Sequence, residues 1–164
     1  MKALRIAACT LMVLSTTLVL AQSDAQKSFD QLKSLVGSWQ GKNSMGETVQ
    51  VSYRMTAGGS ALMNEIQSHG EDMISMIHFD GANRLILTHY CSVGNQPRMA
   101  ATSSHDGKII TFNFMDATNL DTPQSGHMDH VVIAALDPDH HTEEWNFIDH
   151  GKEIKEVFDL KRKE

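Results

Sequence analysis

Residues 48–79 read TVQVSYRMTAGGSALMNEIQSHGEDMISMIHF, and their pattern decides the fold class. Three runs, Thr48 to Met55, Ala61 to Ser68 and Asp72 to Phe79, mix β-branched, aromatic and apolar residues with polar ones at near-alternating positions. Gly58-Gly59 and His69-Gly70 separate them. A period of two puts alternate side chains on opposite faces of an extended chain, and Gly-containing pairs supply the tight reversals that join neighbouring antiparallel strands. Three consecutive strands joined by hairpins are therefore predicted here.

The same grammar extends in both directions. Runs at Ser38 to Lys42, Arg84 to Cys91, Arg98 to Ser103, Ile109 to Met115, His127 to Leu136, Thr142 to Ile148 and Ile154 to Leu160 are punctuated by Asp80-Gly81, His105-Asp106-Gly107, Asp137-Pro138-Asp139 and His150-Gly151. Before them, Phe29, Leu32, Leu35 and Val36 fall at helical spacing behind a Ser28 cap, which predicts one short helix over 28–36. The expected fold is all-β: an antiparallel up-and-down barrel of about ten strands with one short N-terminal helix, closed so that no strand edge is exposed.

Residues 1–21 are set apart from the fold. Lys2 and Arg5 precede an uncharged apolar stretch from Ile6 to Leu20, and Val19-Leu20-Ala21 offers the small residues of a signal-peptidase site. Cleavage after Ala21, export to the periplasm or the medium, and a single domain over 22–164 are the expectations. Loss of Lys2 and Arg5 would move the formal charge from −6 to −8, which disfavours nucleic acid as a partner. Cys9 would leave with the leader, so Cys91 would have no partner for an intramolecular disulfide. No second apolar stretch approaches membrane length.

Leu35-Val36-Gly37-Ser38-Trp39-Gln40-Gly41, behind the predicted helix, resembles the helix-then-Gly-x-Trp opening of lipocalins, fatty-acid-binding proteins and nitrobindins. Thr88-His89-Tyr90-Cys91 with Gly94-Asn95-Gln96-Pro97-Arg98-Met99, and the ending His140-His141-Thr142-Glu143-Glu144-Trp145 with Asp149-His150-Gly151-Lys152 and Phe158-Asp159-Leu160-Lys161-Arg162, resemble a bacterial family of exported, lipocalin-like proteins of unknown function. The resemblance implies a calycin-type barrel with Trp39 plugging one end. It brings no known reaction with it.

The central signature is also the candidate site on physical grounds. Alternation puts Leu85, Leu87, His89 and Cys91 on one face, and the turn from Gly94 to Pro97 is expected to return Arg98 beside them. An imidazole, a thiol and a guanidinium around an apolar cavity would suit a small amphipathic or acidic apolar ligand, with Asn95 and Gln96 at the mouth and His127, Glu143 and Trp145 on other strands lining the same cavity. An enzyme using His89 as acid or base, and a module acting through its outer surface, are the alternatives. His89 and Cys91 lack a third residue that would orient a nucleophilic pair. His127 and Asp129 share a face that His130 does not, and His140 and His141 sit at a turn, so no metal centre is expected. A haem ligand is not expected either, because Ile154 to Leu160 contains no histidine where nitrobindins place theirs. The methionines left after the leader, such as Met55, Met73, Met99 and Met128, read as adaptable core fillers.

Overall fold

A computed structural model describes residues 22–163. The expected leader, 1–21, lies outside the described residues. One helix and ten strands follow in order: α1 (Asp24–Lys33), β1 (Gly37–Asn43), β2 (Thr48–Thr56), β3 (Ala61–Ser68), β4 (Glu71–Phe79), β5 (Leu85–Tyr90), β6 (Gln96–Ser103), β7 (Ile109–Thr118), β8 (His127–Asp137), β9 (His140–Asp149) and β10 (Lys152–Arg162). Each strand pairs antiparallel with its neighbours in sequence, and β1 pairs with β10, so the meander closes into a ten-stranded barrel. This matches the all-β expectation.

The hairpins follow from their turn residues. His69-Gly70 and His150-Gly151 both have positive φ at each position (55° and 76°; 49° and 76°). Two successive left-handed residues make the two-residue reversal whose twist matches that of paired strands, and glycine takes the second position without steric cost.

The helix departs from expectation at its start. It begins at Asp24, capped by Ser23, whose Oγ accepts from the Gln26 amide at 3.2 Å. Ser28 is not a cap but part of the buried stripe Ala25, Ser28, Phe29 and Leu32, which lies against one end of the barrel. A serine already on the apolar face satisfies the helical period as well as a cap does, and so conceals the true start. Phe29 packs edge-on against Phe79 with ring centroids 5.0 Å apart.

Trp39 seals that end. Its Nε1 donates to the Leu35 carbonyl at 2.7 Å, and the Arg162 guanidinium lies 4.1 Å from its ring. Arg162 also donates to the carbonyls of Val36 (2.9 Å), Ser34 (3.1 Å) and Pro138 (3.0 Å). Planar stacking with a fork of donors allows one side chain to join the helix end, the tryptophan and the β8–β9 turn.

Closure depends on Gly41. A Cβ there would sit 1.7 Å from the Asp159 carbonyl oxygen in the facing strand β10. Gly41→Ala is accordingly expected to force β1 and β10 apart and cost about 1–3 kcal/mol. The check is the urea midpoint, together with faster amide exchange along β1 and β10; an unchanged midpoint would contradict a seam at this position.

Candidate functional site

The barrel interior is not uniformly apolar. Register aligns Tyr53 with Asn64, Asn64 with Ser75, and Ser75 with His89. These four inward positions form a continuous polar row across β2, β3, β4 and β5, and each is at most 2% exposed. On the facing wall, β9 turns His141, Glu143 and Trp145 inward, with Glu143 and His141 wholly buried.

Glu143 links the two walls. Its Oε1 accepts from the Tyr53 hydroxyl at 2.7 Å, and its Oε2 accepts from Trp145 Nε1 at 2.9 Å. His141 Nε2 lies 3.1 Å from Oε1. Three donors around two oxygens suit a carboxylate, which only accepts, with Nε2–H of His141 as the third donor. Burial, then the Glu143 charge and hydrogen bond, push the Tyr53 hydroxyl pKa well above its ordinary range.

His89 faces inward as the alternation of β5 requires. Its Nδ1 is 3.0 Å from Ser75 Oγ, and its ring centroid is 5.1 Å from that of Trp145. Burial pushes its pKa down to about 4, so the imidazole is neutral near pH 7. Its Nε2 has no hydrogen-bond partner among the described residues, nor have Asn64 Nδ2, Asn64 Oδ1, Ser68 Oγ and His141 Nδ1.

Arg98 does not join this group. Met99 pairs with the inward Leu87 and is buried, while Arg98 pairs with Thr88, on the outer face of β5, and so faces solvent. There its Nε donates to Asp116 Oδ1 at 2.6 Å, and the guanidinium holds the Asp116 carboxyl below its usual pKa. Neighbours across a sheet share a face, and the register of the β5–β6 hairpin that sets Thr88 against Arg98 is not stated by its turn residues. Cys91 lies beyond the end of β5, half-buried, with burial raising its thiol pKa.

Asn95, Gln96 and His127 sit at the mouth opposite the helix. Asn95 Nδ2 donates to the Gly126 carbonyl at 2.7 Å, tying the β5–β6 turn to the loop between β7 and β8. Gln96 Nε2 donates to the Gly94 carbonyl at 3.0 Å, and Thr118 Oγ1 donates to Gln96 Oε1 at 2.7 Å. His127 Nδ1 donates to the Ser125 carbonyl at 2.7 Å. A second tie across the mouth runs through His69, within 2.6 Å of Glu47 and 2.9 Å of Glu156; the Glu156 hydrogen bond, with the nearby carboxylate charges, raises its pKa.

His141 is a second departure. It is not an exposed turn residue but the second residue of β9, buried against Trp39 with ring centroids 4.3 Å apart. In β8, a register shift between Met128 and His130 leaves both His127 and Met128 buried. Among the described residues, no three His, Cys, Asp or Glu side chains converge as a metal site. Tyr53, Asn64, Ser68, Ser75 and His141 are interior polar residues that were not among the sequence candidates. Their signal was a polar residue at an otherwise apolar inward position in successive strands.

A buried amide with neither atom paired carries its full desolvation penalty. Asn64→Leu, which removes both orphan atoms at similar volume, is therefore expected to stabilise the protein by about 1–3 kcal/mol and to raise the thermal midpoint by roughly 3–10 °C. A lowered midpoint would mean that the amide has partners in solution.

A surface depression of about 750 Å³ lies between the start of α1 and the β6–β7 turn, away from the interior row. It is open and lined by exposed polar side chains such as Gln22, Lys27, Asp30 and Asp106. The interior polar row is the better candidate, because its unpaired groups are the ones that lack solvent.

Neither a protein-family model nor a curated protein matches the sequence. Solved structures do match in shape. Rv2717c from M. tuberculosis superposes with a TM-score of 0.57 at 14% identity, over 84% of this chain and 98% of that one. A protein of unknown function of the DUF3598 family from Nostoc punctiforme PCC 73102 superposes with a TM-score of 0.54 at 10% identity, over 80% of this chain and 49% of that one. At such identities the likeness is one of fold: the chain is a ten-stranded β-barrel consistent with the calycin-like architecture.

Proposed function

We propose that the protein is exported, belongs with the lipocalin-like proteins that its signature resembles, and binds a small amphipathic molecule inside the barrel. The observation that supports this most is the set of unpaired polar atoms on the inner wall, above all both amide atoms of Asn64 and Nε2 of His89. Native proteins pair nearly all such groups with protein, water or ligand, and an interior that leaves several unpaired lacks a partner that the working state supplies. Around them the wall is apolar: Leu62, Ile66, Ile77 and Leu87 occupy neighbouring inward positions. Few precisely placed polar groups in an apolar surround are the usual composition of a small-molecule site.

The ligand-free interior is filled by its own side chains, among them Met99, with Met55 and Met73 at its margin. Unbranched thioether side chains change shape at low cost, so they are the groups that would yield volume to a ligand. The mouth, where Asn95 and the β7–β8 loop meet, is the proposed entrance. It lies opposite the end closed by α1, Trp39 and Arg162.

Native mass spectrometry of the protein purified gently from its host's extracytoplasmic fraction tests both parts. A chain beginning at Gln22 and carrying a stoichiometric organic mass, lost in His89→Ala, is the expected result. A full-length chain in the cytoplasm would overturn export. A clean apo mass would overturn constitutive occupancy.

A further inference from the structure

We propose that the interior site takes a neutral molecule whose polar end sets a hydrogen-bond donor beside an acceptor, as a carboxamide or lactam does, and that Asn64 reads that edge. This rests on the reading of the barrel as a ligand binder and names the class of ligand. Asn64 is 2% exposed and both its Nδ2 and Oδ1 are unpaired. An asparagine amide in that state is itself a donor beside an acceptor, and its complement is the same pair reversed. His89 Nε2, two strands away along the polar row, is a further unpaired group for a ligand that reaches across Ser75.

Charge argues the same way. Among the described residues no lysine or arginine is buried, and Arg98, the cation expected beside the site, faces solvent and is paired to Asp116. His89 is held neutral by burial. Glu143, the one buried carboxylate among the described residues, already accepts from Tyr53 and Trp145 and meets His141. An anion would enter beside that charge with no cation to meet it, and a carboxylate, which only accepts, would leave Asn64 Oδ1 unpaired. A hydrocarbon would leave both amide atoms unpaired. A cation would find the Glu143 oxygens engaged by donors. The acidic ligand suggested by the sequence is thus disfavoured by where Arg98 points, and an amide edge satisfies the greatest number of orphan atoms.

Benzamide, benzoate and toluene share one ring and differ only at the polar end, so they separate the possibilities. Titrated into the purified protein at pH 7 and followed by amide chemical shifts, benzamide is expected to bind about tenfold or more tightly than either relative, with shifts centred on β3, β4 and β5. In Asn64→Leu the preference for benzamide over toluene is expected to vanish while toluene binding is kept or improved. Benzoate binding as tightly as benzamide or more so would overturn the proposal. Equal affinity for all three would overturn the amide preference and leave the ligand-binding reading in place. No binding of any of the three would overturn both. Loss of benzamide preference in His89→Gln but not in Asn64→Leu would move the recognition to His89 and overturn the role assigned to Asn64.

Discussion

Glu143→Ala is expected to destabilise the protein by about 3–5 kcal/mol, a large part of the 5–15 kcal/mol by which a domain is ordinarily stable. The side chain is wholly buried and accepts from Tyr53 Oη and Trp145 Nε1, with His141 Nε2 at 3.1 Å. Truncation would leave a hydroxyl, an indole N–H and an imidazole N–H without an acceptor, and would open a cavity between the two walls. The penalty comes from those stranded donors and the lost volume together. Tyr53→Phe, which removes one donor and keeps the carboxylate partnered by the others, is expected to cost about 0.5–1.5 kcal/mol. Denaturant unfolding followed by tryptophan fluorescence measures both, since Trp145 touches the carboxylate directly. Equal, small losses for the two variants would mean that water replaces the missing groups and that the interior is wetter than its burial indicates.

The second large effect is acid lability carried by His89. Its folded-state pKa is about 4, against 6.5 for the unperturbed group, and the cause is burial. Between those values the unfolded chain binds a proton that the folded chain does not, so stability falls as pH drops from 6.5 towards 4. The difference corresponds to roughly 3 kcal/mol for this group. The contribution is present in full above pH 6.5 and is lost as acid protonates the unfolded imidazole. Carboxylates also titrate near the lower end of the window, so the measurement is a difference: stability against pH for the wild type and for His89→Gln. The wild-type curve should fall more steeply between pH 6 and 4.5. Parallel curves would show that His89 gains its proton without penalty, through an opening of the mouth or a partner for Nε2. In a ligand-loaded sample, a partner on Nε2 should flatten the wild-type slope towards that of the variant.

Both predictions concern residues that a sequence presents very unequally. His89 stands at an inward position because Leu85 and Leu87 mark the buried face of a regular strand, and period-two alternation carries that assignment two residues further. Glu143, Trp145 and His127 were interior candidates as polar or aromatic residues on neighbouring strands, and they are buried. Asn64 and Ser75 lie on runs whose alternation was read correctly. Their importance depends on being neighbours of His89 across β4, and that adjacency is a matter of register, which the strands themselves do not state. Arg98 was misplaced by the register of one hairpin. Arg98 pairs with Thr88, which points outward between the inward Leu87 and His89, so its guanidinium stands in solvent and not at the supposed binding site.

By itself, the sequence determined the all-β class, the ten strands and nearly all their turns, because β-branched alternation and Gly-containing reversals are local properties of the chain. The place of Trp39 at one end of the barrel was an expectation that came with a resemblance and not from the pattern of the chain. Closure of β1 on β10 at Gly41, the placing of Arg162 over Trp39, the meeting of Tyr53 with Glu143 and the isolation of Asn64 were decided only in the tertiary structure. Each joins residues far apart along the chain, and their energies depend on which side chain faces which across a closed sheet. No local pattern encodes that pairing.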